Sequence, residues 1–141
     1  MKDLLELAAK IAQGGQDRNF RLGAVAKTRD GILVGATNGT VNLSSNCSEP
    51  VRHPSAHAEA RVLRKAGRGS SLWVVRLVST GMTMAKPCPH CQALIKSYGV
   101  ERVVYSVGPD DYDIWYPKKS SEPKEYRKQS FSNSTVWAEV N

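Results

Sequence analysis

Two apolar runs separated by a helix-length segment constrain this chain most. Leu72 to Ser79 is crowded with Val and Leu and reads as a strand buried on both faces. Val103-Val104-Tyr105 repeats the signal. Between them, after Lys86-Pro87, a short helix from Cys88 to Tyr98 is stopped by Gly99. Strand, helix and strand at this spacing favour a crossover connection, and so a sheet with helices packed against it.

The preceding residues extend the pattern. Leu4, Leu7, Ala8, Ile11 and Ala12 recur at three- and four-residue steps, giving a helix from Asp3 to Gln13 with one apolar face, ended by Gly14-Gly15. Leu22 to Thr28 and Ile32 to Ala36 read as a hairpin through Arg29-Asp30-Gly31, where Asp-Gly is expected to supply positive φ angles. Residues 37–55 are rich in Asn, Ser, Gly and Pro and read as a long surface loop. Ser55 is placed to cap a helix over Ala56 to Ala66, with Gly67 and Gly69 beyond its end. Tyr112 to Tyr116 is a candidate last strand. The periodicity then decays, so residues 1–116 are expected to form the domain and 117–141 a basic C-terminal tail or edge element.

With 40% hydrophobic residues among 141, the chain can build a real core, which excludes collagen-like and wholly disordered classes. No run approaches the roughly 18 apolar residues of a spanning helix, and Met1-Lys2-Asp3-Leu4 lacks an apolar signal core. A soluble, cytoplasmic protein is expected. The net charge of +7 suggests phosphate-bearing partners, without telling a polymer from a monomer. Three cysteines, Cys47, Cys88 and Cys91, cannot all pair within one chain. In a reducing compartment the Cys88-x-x-Cys91 spacing therefore reads as a redox pair or as half of a metal site.

Further ligands favour the metal. His57-Ala58-Glu59 and Pro87-Cys88-Pro89-His90-Cys91 each lie where a helix starts after a loop. Zinc takes imidazole nitrogen and thiolate sulfur, and catalytic sites use three protein ligands with the fourth position open. His57, Cys88 and Cys91 make three. Glu59, turned about 100° per residue away from His57 around the helix, is left to carry protons rather than to coordinate. These are the parts for hydrolytic removal of an amine from an aromatic ring.

The pair of motifs, HAE followed by PCxxC, resembles the signature of the zinc nucleobase deaminases. The likeness spans roughly residues 20–106 and is nearest to small single-domain cytidine and deoxycytidylate deaminases, including phage-encoded ones. Pro54-Ser55-Ala56-His57-Ala58-Glu59 also resembles the corresponding segment of bacterial tRNA adenosine deaminases. The resemblance implies an α/β, three-layer α/β/α cytidine-deaminase-like fold with a mixed sheet of about five strands. It implies Zn2+ held by His57, Cys88 and Cys91, with attack at C4 of a cytosine ring and Glu59 protonating N3 and then the departing ammonia. Asn38, in Gly35-Ala36-Thr37-Asn38-Gly39, matches the family position that binds the sugar. Ala58, Asn46 and His53 join it as candidate substrate contacts. Thr40-Val41-Asn42-Leu43 does not reproduce the Pro-Gly pattern common after that Asn-Gly in deoxycytidylate deaminases.

The expected ligand is thus a free pyrimidine nucleoside or nucleotide, and the expected assembly a homo-oligomer. Two alternatives stand beside this reading: a nucleic-acid-editing deaminase acting on cytosine or adenine in a single strand, and a non-catalytic zinc scaffold. Glu59 argues against the scaffold, because structural zinc has no use for an uncoordinated carboxylate there. Cys47 and His90 read as non-ligands and Trp73 as core. Trp115 and Tyr116 beside Lys118-Lys119 read either as a base-stacking, phosphate-neutralising group or as an edge strand followed by a solvated tail.

Overall fold

The structure, a computed structural model, describes residues 2–14, 21–38, 57–131 and 134–139. The loop residues 39–56, among them Asn46, Cys47, His53 and Ser55, lie outside the described residues.

Helix α1 (Lys2–Gln13) leads into the antiparallel pair β1 (Arg21–Lys27) and β2 (Leu33–Thr37). Helix α2 (Ala58–Ala66) precedes β3 (Ser71–Val78) and the short β4 (Gly81–Thr83). Helix α3 (Pro89–Ser97) crosses to β5 (Val103–Gly108), and β6 (Asp111–Trp115) returns beside it. The sheet order is β2-β1-β3-β5-β6, with β4 on the end of β3. Among the described strands only β3 and β5 run parallel, joined through α3 as the spacing requires. The sheet is therefore mixed, five strands plus β4, whose three residues are too few to show a periodicity.

Alternation along the strands sorts side chains onto two faces. Ala24, Ala26, Leu72, Val74, Val103 and Tyr105 face one way and pack with Val62 and Leu63 of α2 and Ile95 of α3. Val25, Trp73, Val75 and Val104 face the other way, against Leu5 and Ala8 of α1. These are the three layers α/β/α. Trp73 is core, as read from the sequence, at 2% exposure.

Gly23 shows how closely α1 is seated. A Cβ there would overlap the Ala8 carbonyl oxygen and lie 2.7 Å from the Ala12 amide nitrogen. Both are backbone atoms of a helix and cannot swing aside. Gly23→Ala is therefore expected to destabilise by about 1–3 kcal/mol, the range for overpacking a dense core. Thermal melting checks this; an unchanged Tm would show that α1 is free to shift.

Two local expectations are corrected. Asp30 does not take a positive φ, since among the described residues only glycines do, Gly31 at +88° here. The pair closes at Lys27↔Leu33, leaving a longer connection in which Thr28 donates its N–H to the Ile32 carbonyl at 2.8 Å and its hydroxyl oxygen accepts the Ile32 N–H at 2.9 Å. Helix α2 begins at Ala58, with His57 rather than Ser55 as N-cap. Within residues 117–141, β7 (Tyr126–Phe131) and β8 (Ser134–Glu139) form an antiparallel hairpin, a sheet of its own.

Candidate active site

Helices α2 and α3 start at the same end of the sheet. Each start is preceded by a residue in extended conformation: His57 at φ −63°, ψ 145° and Cys88 at φ −67°, ψ 163°. An N-cap turns its side chain across the helix entrance rather than along the helix. Two candidate ligands are thus N-caps, one step outside the helices in which the sequence pattern placed them. The Cys88 sulfur takes up the capping role by accepting the Cys91 N–H at 3.5 Å.

The result is a compact donor set. His57 Nδ1 lies 3.3 Å from Cys91 Sγ and 3.7 Å from Cys88 Sγ. All three ligand atoms fall within 4.8 Å of one another, the one such cluster found among the described residues. Cys91 is buried while His57 and Cys88 are half-buried, so the cluster opens on one side. Gln92, which the sequence reading passed over, donates from Nε2 to the Pro87 carbonyl at 2.7 Å and clamps the turn that carries both sulfurs. Its only sequence signal was its place next to Cys91.

Glu59 stands beside this cluster, next to Cys91, at 4% exposure, with Oε1 unpartnered. Burial raises its pKa above the ordinary carboxylate value, partly offset by hydrogen bonds from its own backbone and from Cys91. Burial likewise pushes the Cys91 thiol up, and the negative charges of Glu59 and Cys88 push it further. Two thiolates and a carboxylate packed this closely repel one another unless a cation lies among them. One nitrogen and two sulfurs are the soft donors zinc accepts, so the residues present fit that metal.

The other candidates are placed less directly. Ala58 opens α2 and is wholly buried. Asn38 is buried at the end of β2, where its Oδ1 accepts the Leu22 N–H at 3.0 Å and its own N–H donates to the Leu22 carbonyl at 3.2 Å. Arg61 of α2, also passed over, donates to the Thr37 carbonyl at 2.9 Å and ties the helix behind His57 to the residue before Asn38. Asn46 and His53 lie outside the described residues. His90 is exposed, away from the cluster.

A three-layer domain with a His/Cys/Cys cluster at two helix starts and a buried Glu beside it defines a zinc-dependent hydrolytic deaminase. Residues 1–107 match the family described as the cytidine and deoxycytidylate deaminase zinc-binding region, and the chain belongs to that family. Comparison with curated proteins finds no match. Among solved structures, the chain is similar to the cytidine deaminase of Burkholderia pseudomallei, with a TM-score of 0.59 at 19% identity, covering 84% of this chain and 93% of that one. It is also similar to the dCMP deaminase of cyanophage S-TIM5 in apo form (TM-score 0.53, 23% identity, 75% and 81% covered). The same phage enzyme in complex with dCMP and dUMP gives a TM-score of 0.55 at 22% identity, with 74% and 78% covered. At these identities the likeness establishes the fold.

Proposed function

We propose that the protein replaces the exocyclic amine of cytosine by oxygen in a free nucleoside or nucleotide, producing uracil and ammonia. The observation that carries this is the unpartnered carboxyl oxygen of Glu59, buried beside the His57, Cys88 and Cys91 donors. A carboxylate is stripped of water there only at a cost, and its free oxygen is suited to a proton that must move during the reaction.

His57, Cys88 and Cys91 would hold the zinc. When bound, the metal supplies Lewis acidity that brings the pKa of a water molecule toward neutrality. Glu59 takes a proton from the attacking water and delivers it to N3 of the ring. Glu59 then takes the remaining proton from the new C4 hydroxyl and passes it to the amine as the C4–N bond breaks, so that ammonia leaves and the oxygen remains on C4 as a carbonyl. Ala58, whose methyl group is buried, serves through its backbone at the floor of the substrate site. Asn38, its Oδ1 anchored on Leu22, orients the sugar, and Asn46 and His53 complete the substrate side.

The phage neighbour was solved with dCMP and dUMP, which supports a pyrimidine nucleotide as the ligand class. Ammonia release measured against cytidine, deoxycytidine, their monophosphates, adenosine and single-stranded oligonucleotides tests the reading. Turnover is expected on a free cytosine nucleoside or nucleotide. Activity confined to adenosine or to oligonucleotides would replace this substrate class, and release from none of them would leave a zinc scaffold. The protein is proposed to act in the cytoplasm as a homo-oligomer. No described helix is long and apolar enough to cross a membrane.

A further inference from the structure

A cavity of about 360 Å³ lies at the far end of the sheet from the His/Cys/Cys cluster, lined by Glu101, Arg102, Tyr116, Lys118 and Lys119. The ladder places it. Arg102 immediately precedes β5, where Val103 pairs with Leu72 at the start of β3 and with Trp115 at the end of β6. The segment carrying Cys88 instead follows β4, which pairs with the other end of β3 at Val78↔Gly81. From there β4 runs back to Thr83↔Arg76, and α3, nine residues at about 1.5 Å each, sets Cys88 roughly 14 Å from the helix end that leads to Arg102.

The cavity wall is held in place by a turn. Trp115, a candidate stacking group in the sequence, is withdrawn at 2% exposure and donates its indole N–H to the Ser120 carbonyl at 2.9 Å. The Lys119 and Ser120 N–H groups both donate to the Tyr116 carbonyl, at 2.9 and 3.0 Å. This turn holds Tyr116 outward at 40% exposure, with Lys118 and Lys119 beside it. Arg102 is steadied from behind, its guanidinium 5.8 Å from the Trp73 ring centre. Three cations thus face one carboxylate around an exposed aromatic ring.

We infer that this cavity is a second ligand site, for a phosphate-bearing nucleobase compound, with the base stacked on Tyr116 and the phosphate held by Arg102, Lys118 and Lys119. Lys119 Nζ lies 5.3 Å above the Tyr116 ring, where a base would stack. Its flexible stem can lift the ammonium off the ring and onto a phosphate, and the ammonium–ring contact it gives up is weak at an exposed site. The volume falls in the range of small-ligand sites. Free nucleotides and single strands share this chemistry.

Binding to the zinc-loaded full-length protein separates them, using ADP, inorganic tripolyphosphate and a dT oligonucleotide of about ten residues. Tyr116→Ala is expected to weaken ADP about five- to hundredfold, the span of one base–aromatic stack, and to leave tripolyphosphate unchanged. The Lys118→Ala, Lys119→Ala double variant is expected to weaken both and to flatten the salt dependence. Excess cytidine, lacking a phosphate, does not displace ADP from this site, and turnover on free substrate is unchanged in all variants. If the oligonucleotide binds more tightly than ADP and loses that advantage in the lysine variant, the ligand is a strand; if it binds no more tightly, the ligand is a free nucleotide. Failure of all three probes to bind, or binding that both variants leave intact, would overturn the assignment.

Discussion

Glu59→Gln is expected to lower kcat by about 10²- to 10⁴-fold, the contribution typical of a positioned acid–base group. The amide keeps the size of the side chain but cannot take a proton from water and pass it to N3 and the amine. Zinc content should stay at that of the parent, because His57, Cys88 and Cys91 are the proposed ligands and are untouched. The melting temperature should not fall. Glu59 is buried with one carboxyl oxygen unpartnered, and a neutral group of the same shape is cheaper to keep out of water. Turnover, metal analysis and melting on one sample check all three. Retention of more than about a tenth of the activity, far above the range for acid–base catalysis, would remove Glu59 from the proton path.

Cys91→Ala is expected to remove both the metal and the activity. Cys91 is fully buried, and its sulfur is the nearer of the two to His57 Nδ1, at 3.3 Å. Without it the cluster keeps two donors of three, short of the set a catalytic zinc site uses. Because the metal binds the folded chain, zinc at 100 to 1,000 times its dissociation constant stabilises by about 3–4 kcal/mol, or roughly 10 °C for a chain of this size. A chelator should therefore lower the Tm of the parent by about that much and leave the variant unmoved. An equal response of parent and variant to the chelator would show that the metal is held elsewhere.

These two expectations rest on residues identifiable from the letters alone, because zinc chemistry is written in side-chain type and short spacing. Cys88 and Cys91 sit within one helical turn of each other, so folding of the rest of the chain hardly affects their separation. The apolar periods of α1, α2, β3 and α3 are local in the same way. They located those elements to within a residue or two. The short β4 escaped because three residues carry no period. The Asp30-Gly31 turn departs from the dipeptide's local preference because its type depends on where the strands stop pairing, at Lys27↔Leu33, which lies outside the dipeptide.

What the sequence by itself determined is the order of the elements from α1 to β6 apart from β4, the βαβ crossover, and the candidate metal-donor residues. All of these follow from periodicity and chemistry within a few neighbouring residues. Tertiary structure alone decided that His57 and Cys88 stand outside their helices as caps and bring His57 within reach of both sulfurs across the α2–α3 gap. It also decided that Glu59 loses its water, that Trp115 turns inward while Tyr116 stays out, and that Arg102 meets Lys118 and Lys119 around one cavity. The physical reason is common to them. Each is a distance or a burial set by how the layers pack, and packing sums contributions from residues far apart in the chain, which no local pattern records.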